Sequence, residues 1–176
     1  MSCEKALAYL RQVGLGDRLV IREHASDTVE HAAQACGCIP AQIAKTMSFL
    51  VEGKAVLIVA AGDARVNSSA FKKQFHVKAQ MVPWDQVEAM TGHAPGGVCP
   101  FGIPQEVRTF LDVLLRRFSR VHVAGGSGNA TAGMSCEELE RCQNFNGWVD
   151  ICRDWDPDLR DEDGAPAAGA GGEGCE

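Results

Sequence analysis

No apolar stretch in this chain is long enough to cross a bilayer, and the first ten residues include Glu4 and Lys5 without an apolar signal core. The expectation is a cytoplasmic protein with no membrane partner. The eight cysteines form no Cys-x-x-Cys pair, and no histidine lies at finger spacing from a cysteine pair. Cys36-Gly-Cys38 is a close couple without a matching second half, so reduced thiols and no bound metal are expected. Excess positive charge is missing too. The formal net charge is −6, and residues 155–176 account for all of it, with Asp156, Asp158, Asp161, Glu162, Asp163, Glu173 and Glu176 against Arg160. The remaining body is neutral, which excludes a DNA-coating protein but not a locally held nucleic acid. Lys72, Lys73 and Lys78, or Arg116, Arg117 and Arg120, could supply such a grip, although each cluster also reads as a solvated face. There is no P-loop, and Gly125 to Gly128 lacks dinucleotide-binding spacing, so no nucleotide cofactor is expected. Asp112 and Glu106 make no recognisable acid pair. No internal repeat is apparent.

What remains is an ordinary globular body. At 176 residues, 45% hydrophobic and with mean hydropathy −0.10, the chain fits one domain with a full core. Helices are predicted over Glu4–Val13, from Asp27–Glu30 (read as a capping box) to a stop at Gly37, over Asn67–Phe75, over Trp84–Met90, and after the capping box Ser135–Glu138. Strands are predicted over Leu19–Arg22, Ile43–Val51, Ala55–Ala61, Val77–Val82, within Val107–Leu115, and over Arg120–Ala124 and Thr131–Met134, with Phe145–Cys152 closing the domain. Glycine loops occupy Gly92–Gly102 and Gly125–Asn129. The mixture lacks a regular βαβ alternation, so the expected class is α+β, with a single domain over residues 1–154 and a mixed, mainly antiparallel sheet flanked by helices. From residue 155 an acidic, Gly/Ala-rich tail is expected to be disordered.

A single cation stands out against this background. In the strand Ile43–Val51, alternation puts Ile43, Lys45, Met47, Phe49 and Val51 on one face, four apolar residues and one lysine. Such a lysine must pair with a carboxylate, reach the sheet edge or meet an anion from outside. The two glycine loops at strand ends add main-chain N–H groups able to hold a phosphate, a carboxylate or a developing oxyanion. Cys99 beside a loop also invites a thiol nucleophile with His93 or His122 as base, but nothing in the sequence brings them together.

Ala44-Lys45-Thr46-Met47, Gly96-Gly97-Val98-Cys99-Pro100-Phe101-Gly102, and Val123-Ala124-Gly125-Gly126 together resemble the YbaK / prolyl-tRNA-synthetase-associated domain family. His24–Ala32 fits its first-helix approach and Asn144–Arg153 its closing segment, so the resemblance covers residues 19–153. It implies that family's fold, a partly barrel-like sheet with flanking helices, and a freestanding trans-editing aminoacyl-tRNA deacylase without a cofactor. The substrate implied is the acceptor end of a mischarged tRNA, tRNA(Pro) with cysteine, alanine, serine or threonine, and prolyl-tRNA synthetase is a possible partner. Carried over, Lys45 is the catalytic residue, contacting the terminal adenosine or its phosphate and holding the ester. The amides near Gly97 and Gly126 face the substrate carbonyl or ribose. Met47 and Phe49 shape the side-chain pocket, unless both simply pack the core. Thr28, Gly96, Gly102, Gly125, Asn129 and Thr131 complete the implied substrate-binding set.

The chain departs from the pattern at three places. Cys99 stands where many relatives have Ser or Thr. Asn129 or Ala130 stands where one branch has a histidine, and Thr131 lies nearest the position where the cysteine-specific branch has an acid. These changes bear on which amino acid is removed. A noncatalytic module that uses the same cleft to bind a tRNA end, a nucleotide or a synthetase is the alternative reading.

Overall fold

The structure, a computed structural model, describes residues 2–161. Helices α1 (Ser2–Gln12), α2 (Val29–Cys36), α3 (Ser68–Phe75), α4 (Val87–Thr91) and α5 (Cys136–Leu139) alternate irregularly with strands β1 (Leu19–Ile21), β2 (Ile43–Val51), β3 (Lys54–Ala61), β4 (Arg65–Val66), β5 (Arg108–Asp112), β6 (Val121–Ala124), β7 (Ala130–Met134), β8 (Phe145–Val149) and β9 (Cys152–Arg153). Local chemistry explains the ends. Gly37 closes α2 with φ 69°, where a side chain would be strained. Asn67 caps α3 by accepting from the Ala70 N–H, and Ser135 and Glu138 form the expected capping box of α5. At α2 the cap is Thr28, whose hydroxyl accepts from the His31 N–H at 3.0 Å. Asp27, expected to start a capping box, instead contacts the His31 ring at 2.5 Å.

Seven strands form one sheet in the order β1-β7-β6-β2-β3-β5-β8, and β4 pairs with β9 separately. The long β2–β3 hairpin is antiparallel, as are β1–β7 and β6–β7, whereas β2–β6, β3–β5 and β5–β8 are parallel. The sheet is therefore mixed, and its outer strands β1 and β8 do not pair with each other, so it is not a closed barrel. The strand expected over Val77–Val82 shrinks to an isolated bridge, Phe49 with Met81.

One face of the sheet holds the main core. β3 from Ala55 to Ala61 is buried throughout, because it lies between β2 and β5 and is covered on both faces. Phe71 of α3 packs on Phe49 and on Phe75 at ring-centroid distances of 4.9 and 4.6 Å. On the other face Val82, Val87, Ile103 and Val107 cover Ala55 and Leu57 as a smaller cluster.

The chain continues against the body past the expected start of the tail. Arg117 pairs with Asp63 at 2.7 Å, Asp63 accepts from the Asp156 N–H at 3.0 Å, Arg117 sits 5.0 Å from the Trp155 ring centre, and Asp161 accepts from the Ser119 N–H at 2.8 Å. The Gly/Ala-rich part of the tail lies outside the described residues.

Candidate functional site

The site is built on a break in the pairing of β2. β6 accompanies β2 only at Ile43 and Ala44. Further along the same edge, the Val82 N–H donates to Ser48 O at 3.0 Å and the Leu50 N–H to Gln80 O at 2.8 Å. Between those two partners, Lys45, Thr46 and Met47 border a cavity of about 740 Å³. Ser48 and Leu50 direct their main-chain groups outward, and strand groups alternate with period two. Thr46 therefore turns its N–H and C=O into the gap. Its hydroxyl is buried without a hydrogen-bond partner among the described residues.

Lys45 stands on the core face, opposite Ala60 across the hairpin. Ala60 and Ala64 are both fully buried, and alanine at the paired position 60 leaves space for the lysine. Its Nζ donates to Ala64 O at 2.6 Å, and no carboxylate pairs with it among the described residues. Asp63, the nearby acid, is committed to Arg117. Burial, the largest influence, holds the ammonium below the usual lysine range, and Arg65 pushes the same way. A partly desolvated cation without a counter-ion, in a cavity wall, is prepared for an anionic or carbonyl group from outside.

The structure brings Thr28, Lys45, Met47, Gly96 and Thr131 to this cavity. Gly97 and Gly126 do not line it; their loops touch each other, and the Gly97 N–H, expected to face the substrate, donates instead to Ala94 O at 3.0 Å. A Cβ on Gly97 would sit 2.5 Å from Gly126 O, so only glycine permits the approach. Thr131 accepts from Arg22 at 2.7 Å. Asn129 is taken up internally, accepting from Ser127 Oγ in its own loop at 2.7 Å and donating to Arg22 O beyond β1 at 2.8 Å. Phe49 does not reach the cavity wall; it is 5% exposed and packs in the core against the tilted ring of Phe71. Gly102 packs against Lys5 of α1 and Gly125 against Leu19, neither of them on the cavity.

Several cavity residues carry little signal in the sequence. His122 stands beside Ile43 in register and lines the wall with Lys45. Burial first, then Arg120 and Arg22, keep its ring below the usual histidine range and so neutral at pH 7. Met81 and Trp84 also line the cavity, although the 77–90 segment reads only as a strand and a helix start. Thr46 was legible as a motif neighbour of Lys45, but its open main chain depends on where β6 ends.

Cys99 and His93 do meet, with Sγ 3.5 Å from Nε2, yet both are fully buried and neither lines the cavity. Burial pushes the thiol up to about 12 and the imidazole down, so the pair is neutral and unsuited to nucleophilic attack. The arginine cluster is spent internally: Arg116 lies 4.3 Å from the Trp148 ring centre and Arg117 pairs with Asp63. Lys72 and Lys73 line a separate depression of about 590 Å³ with Arg153 and Asp150. Among the described residues no group of three or more His, Cys, Asp or Glu side chains is placed to hold a metal ion, and no helix is long and apolar enough to cross a membrane.

Comparison with known proteins identifies the family. The family model of the aminoacyl-tRNA editing domain matches residues 23–142. The uncharacterized protein YwhH of Bacillus subtilis is 42% identical over 135 residues, covering 76% of this chain and 86% of its own length. The proline–tRNA ligase of Bacillus licheniformis is 29% identical over 120 residues, which span 68% of this chain but 19% of the ligase. A crystal structure of a proposed trans-editing enzyme for prolyl tRNA synthetase superposes with a TM-score of 0.79 at 26% identity, covering 86% of this chain and 97% of the other. The matched segment contains the lysine strand, the gap beside it and both glycine loops, and the chain belongs to the aminoacyl-tRNA editing domain family, the YbaK type that its motifs resemble.

Proposed function

We propose that this protein is a trans-editing aminoacyl-tRNA deacylase that hydrolyses the ester of a mischarged tRNA, most simply tRNA(Pro) bearing cysteine, alanine, serine or threonine. The observation that carries the reading is Lys45, its ammonium without a carboxylate partner among the described residues, lining a cavity large enough for an aminoacylated nucleotide end. A synthetase pocket rejects a competitor of similar size by only about 10–200-fold, which creates the need for a second hydrolytic site.

The chemistry asks little of a nucleophile. Water attacks the ester carbonyl carbon, the bond to the ribose oxygen breaks, that oxygen takes up a proton to become a hydroxyl, and the amino acid leaves as its carboxylate with release of a proton. Lys45 holds the terminal phosphate or the ester oxygen and offsets the negative charge that develops there. The Thr46 N–H and C=O offer one donor and one acceptor to the aminoacyl group, as a strand edge does to an extended peptide. Met47 borders the side-chain pocket. In this reading His122, neutral and on the same wall, accepts a proton from the attacking water. The protein then works in the cytoplasm, with prolyl-tRNA synthetase as its natural companion.

The test is single-turnover hydrolysis of tRNA(Pro) charged with proline, alanine, cysteine or serine, by wild type and Lys45→Ala. Rapid, Lys45-dependent loss of one noncognate ester with prolyl-tRNA spared is the expected result. Binding of the tRNA end without hydrolysis of any ester would replace the enzyme with a noncatalytic binding module.

A further inference from the structure

From the lip of the cavity we infer that Trp84, with Met81, is a stacking platform for the terminal nucleobase of the RNA strand whose ester lies at Lys45. The inference rests on the deacylase reading for its ligand and adds a recognition element that the lysine and the glycine loops do not contain.

Trp84 is 78% exposed and Met81 55% exposed, and both line the cavity. The other two tryptophans are partly buried and already partnered. Trp148 lies under Arg116 at 4.3 Å and donates to Glu140 at 2.6 Å, and Trp155 lies 5.0 Å from Arg117. The Trp84 ring has no ring, cation or hydrogen-bond partner among the described residues. Its exposure is not that of a loose loop, because Val82 and Val87 on either side are buried. The Val82 N–H is bonded to Ser48 O at 3.0 Å, and the turn is closed by the Gln86 N–H on Pro83 O at 2.8 Å. The segment is anchored at both ends and presents one large flat ring to solvent beside the cavity.

A small aminoacyl side chain has no use for an indole of this size, and Met47 already borders the interior. A nucleobase does, since every base has a π-face and stacks on an aromatic ring with little sequence preference. A polarizable methionine beside the ring extends the apolar contact. The positions complement each other: the cation holds phosphate or ester inside while the indole holds the base at the rim.

Intrinsic tryptophan emission tests this with a ribotrinucleotide ending in adenosine as probe, against the same probe with an abasic terminal residue. Wild type should show quenching by the adenosine probe and little by the abasic one, and Trp84→Phe, which leaves Trp148 and Trp155, should lose the quenching yet bind within about 3-fold of wild type. Trp84→Ala should weaken binding of the adenosine probe by about 5- to 150-fold, raise KM for a charged tRNA with a smaller effect on kcat, and bind both probes alike. Trp84→Ala that binds and hydrolyses as wild type does, or wild type that does not distinguish the two probes, overturns the platform. If wild type hydrolyses no ester but the adenosine probe still depends on Trp84, the deacylase reading fails and the platform stands. A Trp84-dependent complex with a protein segment and none with either probe overturns it in favour of a protein-docking ring.

Discussion

Lys45→Met separates the cost of the lysine to the fold from its use in the site. Two effects oppose each other in the folded protein. The charged hydrogen bond from Nζ to Ala64 O, 2.6 Å long, contributes roughly 1.5–3 kcal/mol. Removal of the ammonium from water works against it, and that burial holds the lysine below its usual range. Methionine keeps the straight apolar stem and discards the charge, while cavity water can take the place of Nζ on the Ala64 carbonyl. The expected change in unfolding free energy by urea titration at pH 7 is a gain of about 0–2 kcal/mol. Single-turnover deacylation by the same protein should fall about 10²–10³-fold, the usual loss when one group that stabilises a developing oxyanion is removed. In wild type the rate should decline as pH rises through the folded pKa of Lys45, below the ordinary 10.5, after subtraction of spontaneous ester hydrolysis. Stability moves the other way: the unfolded chain holds the proton to higher pH, so the cost of the buried cation disappears as the pH passes from the folded to the unfolded value. A variant destabilised by more than about 2 kcal/mol would make the lysine a structural residue, and one that still turns over at the wild-type rate would remove it from the chemistry.

Gly97→Ala forces a Cβ to within 2.5 Å of Gly126 O, so the loops must separate; a loss of about 1–3 kcal/mol in urea unfolding is expected, together with lower kcat/KM, and an unchanged variant would show the contact to be unimportant. Phe49→Ala should cost about 3–5 kcal/mol as a core cavity beside Phe71 while leaving the preference among esters unaltered; a changed preference at unchanged stability would return Phe49 to the substrate pocket. Removal of residues 162–176 should leave Tm unaltered, whereas removal from 155 onward also deletes the partners of Asp63, Arg117 and Ser119 and should lower Tm by roughly 4–8 °C for ~2 kcal/mol; equal Tm values would free the segment 155–161 from any structural role. Arg18 donates twice to Glu138, at 2.6 and 2.5 Å, and holds its carboxyl at about 2, so wild type should lose stability between about pH 4.5 and 2 and Glu138→Gln should lose less over that interval; parallel acid titrations of the two proteins would refute it.

Short-range chemistry made much of this protein readable in its sequence. Gly37 as a helix stop, Ser135–Glu138 as a capping box and the neighbouring apolar runs Ile43–Val51 and Ala55–Ala61 each act over a short range, and the structure has a helix end, a cap and a hairpin there. The alternation that set Lys45 among apolar neighbours is equally local, and so are the motifs that placed the chain in its family. Nearby alternatives were harder to separate: Asp27 and Thr28 can both cap a helix, and the backbone selected Thr28. Beyond that range the sequence was silent. Phe49 shares the face of Lys45 and Met47, but α3 covers that face at one end of the strand and not at the other, so identical alternation yields a core ring and a cavity wall. The open edge at Thr46 exists because β6 leaves β2 after Ala44 and residues 80–82 rejoin it only at Ser48. The exposure of Trp84 follows from the burial of Val82 and Val87 beside it. Local sequence determined which residues could form strands, caps and a charged stripe; the order of the strands, set by contacts between distant segments, decided which of those residues meet at one cavity.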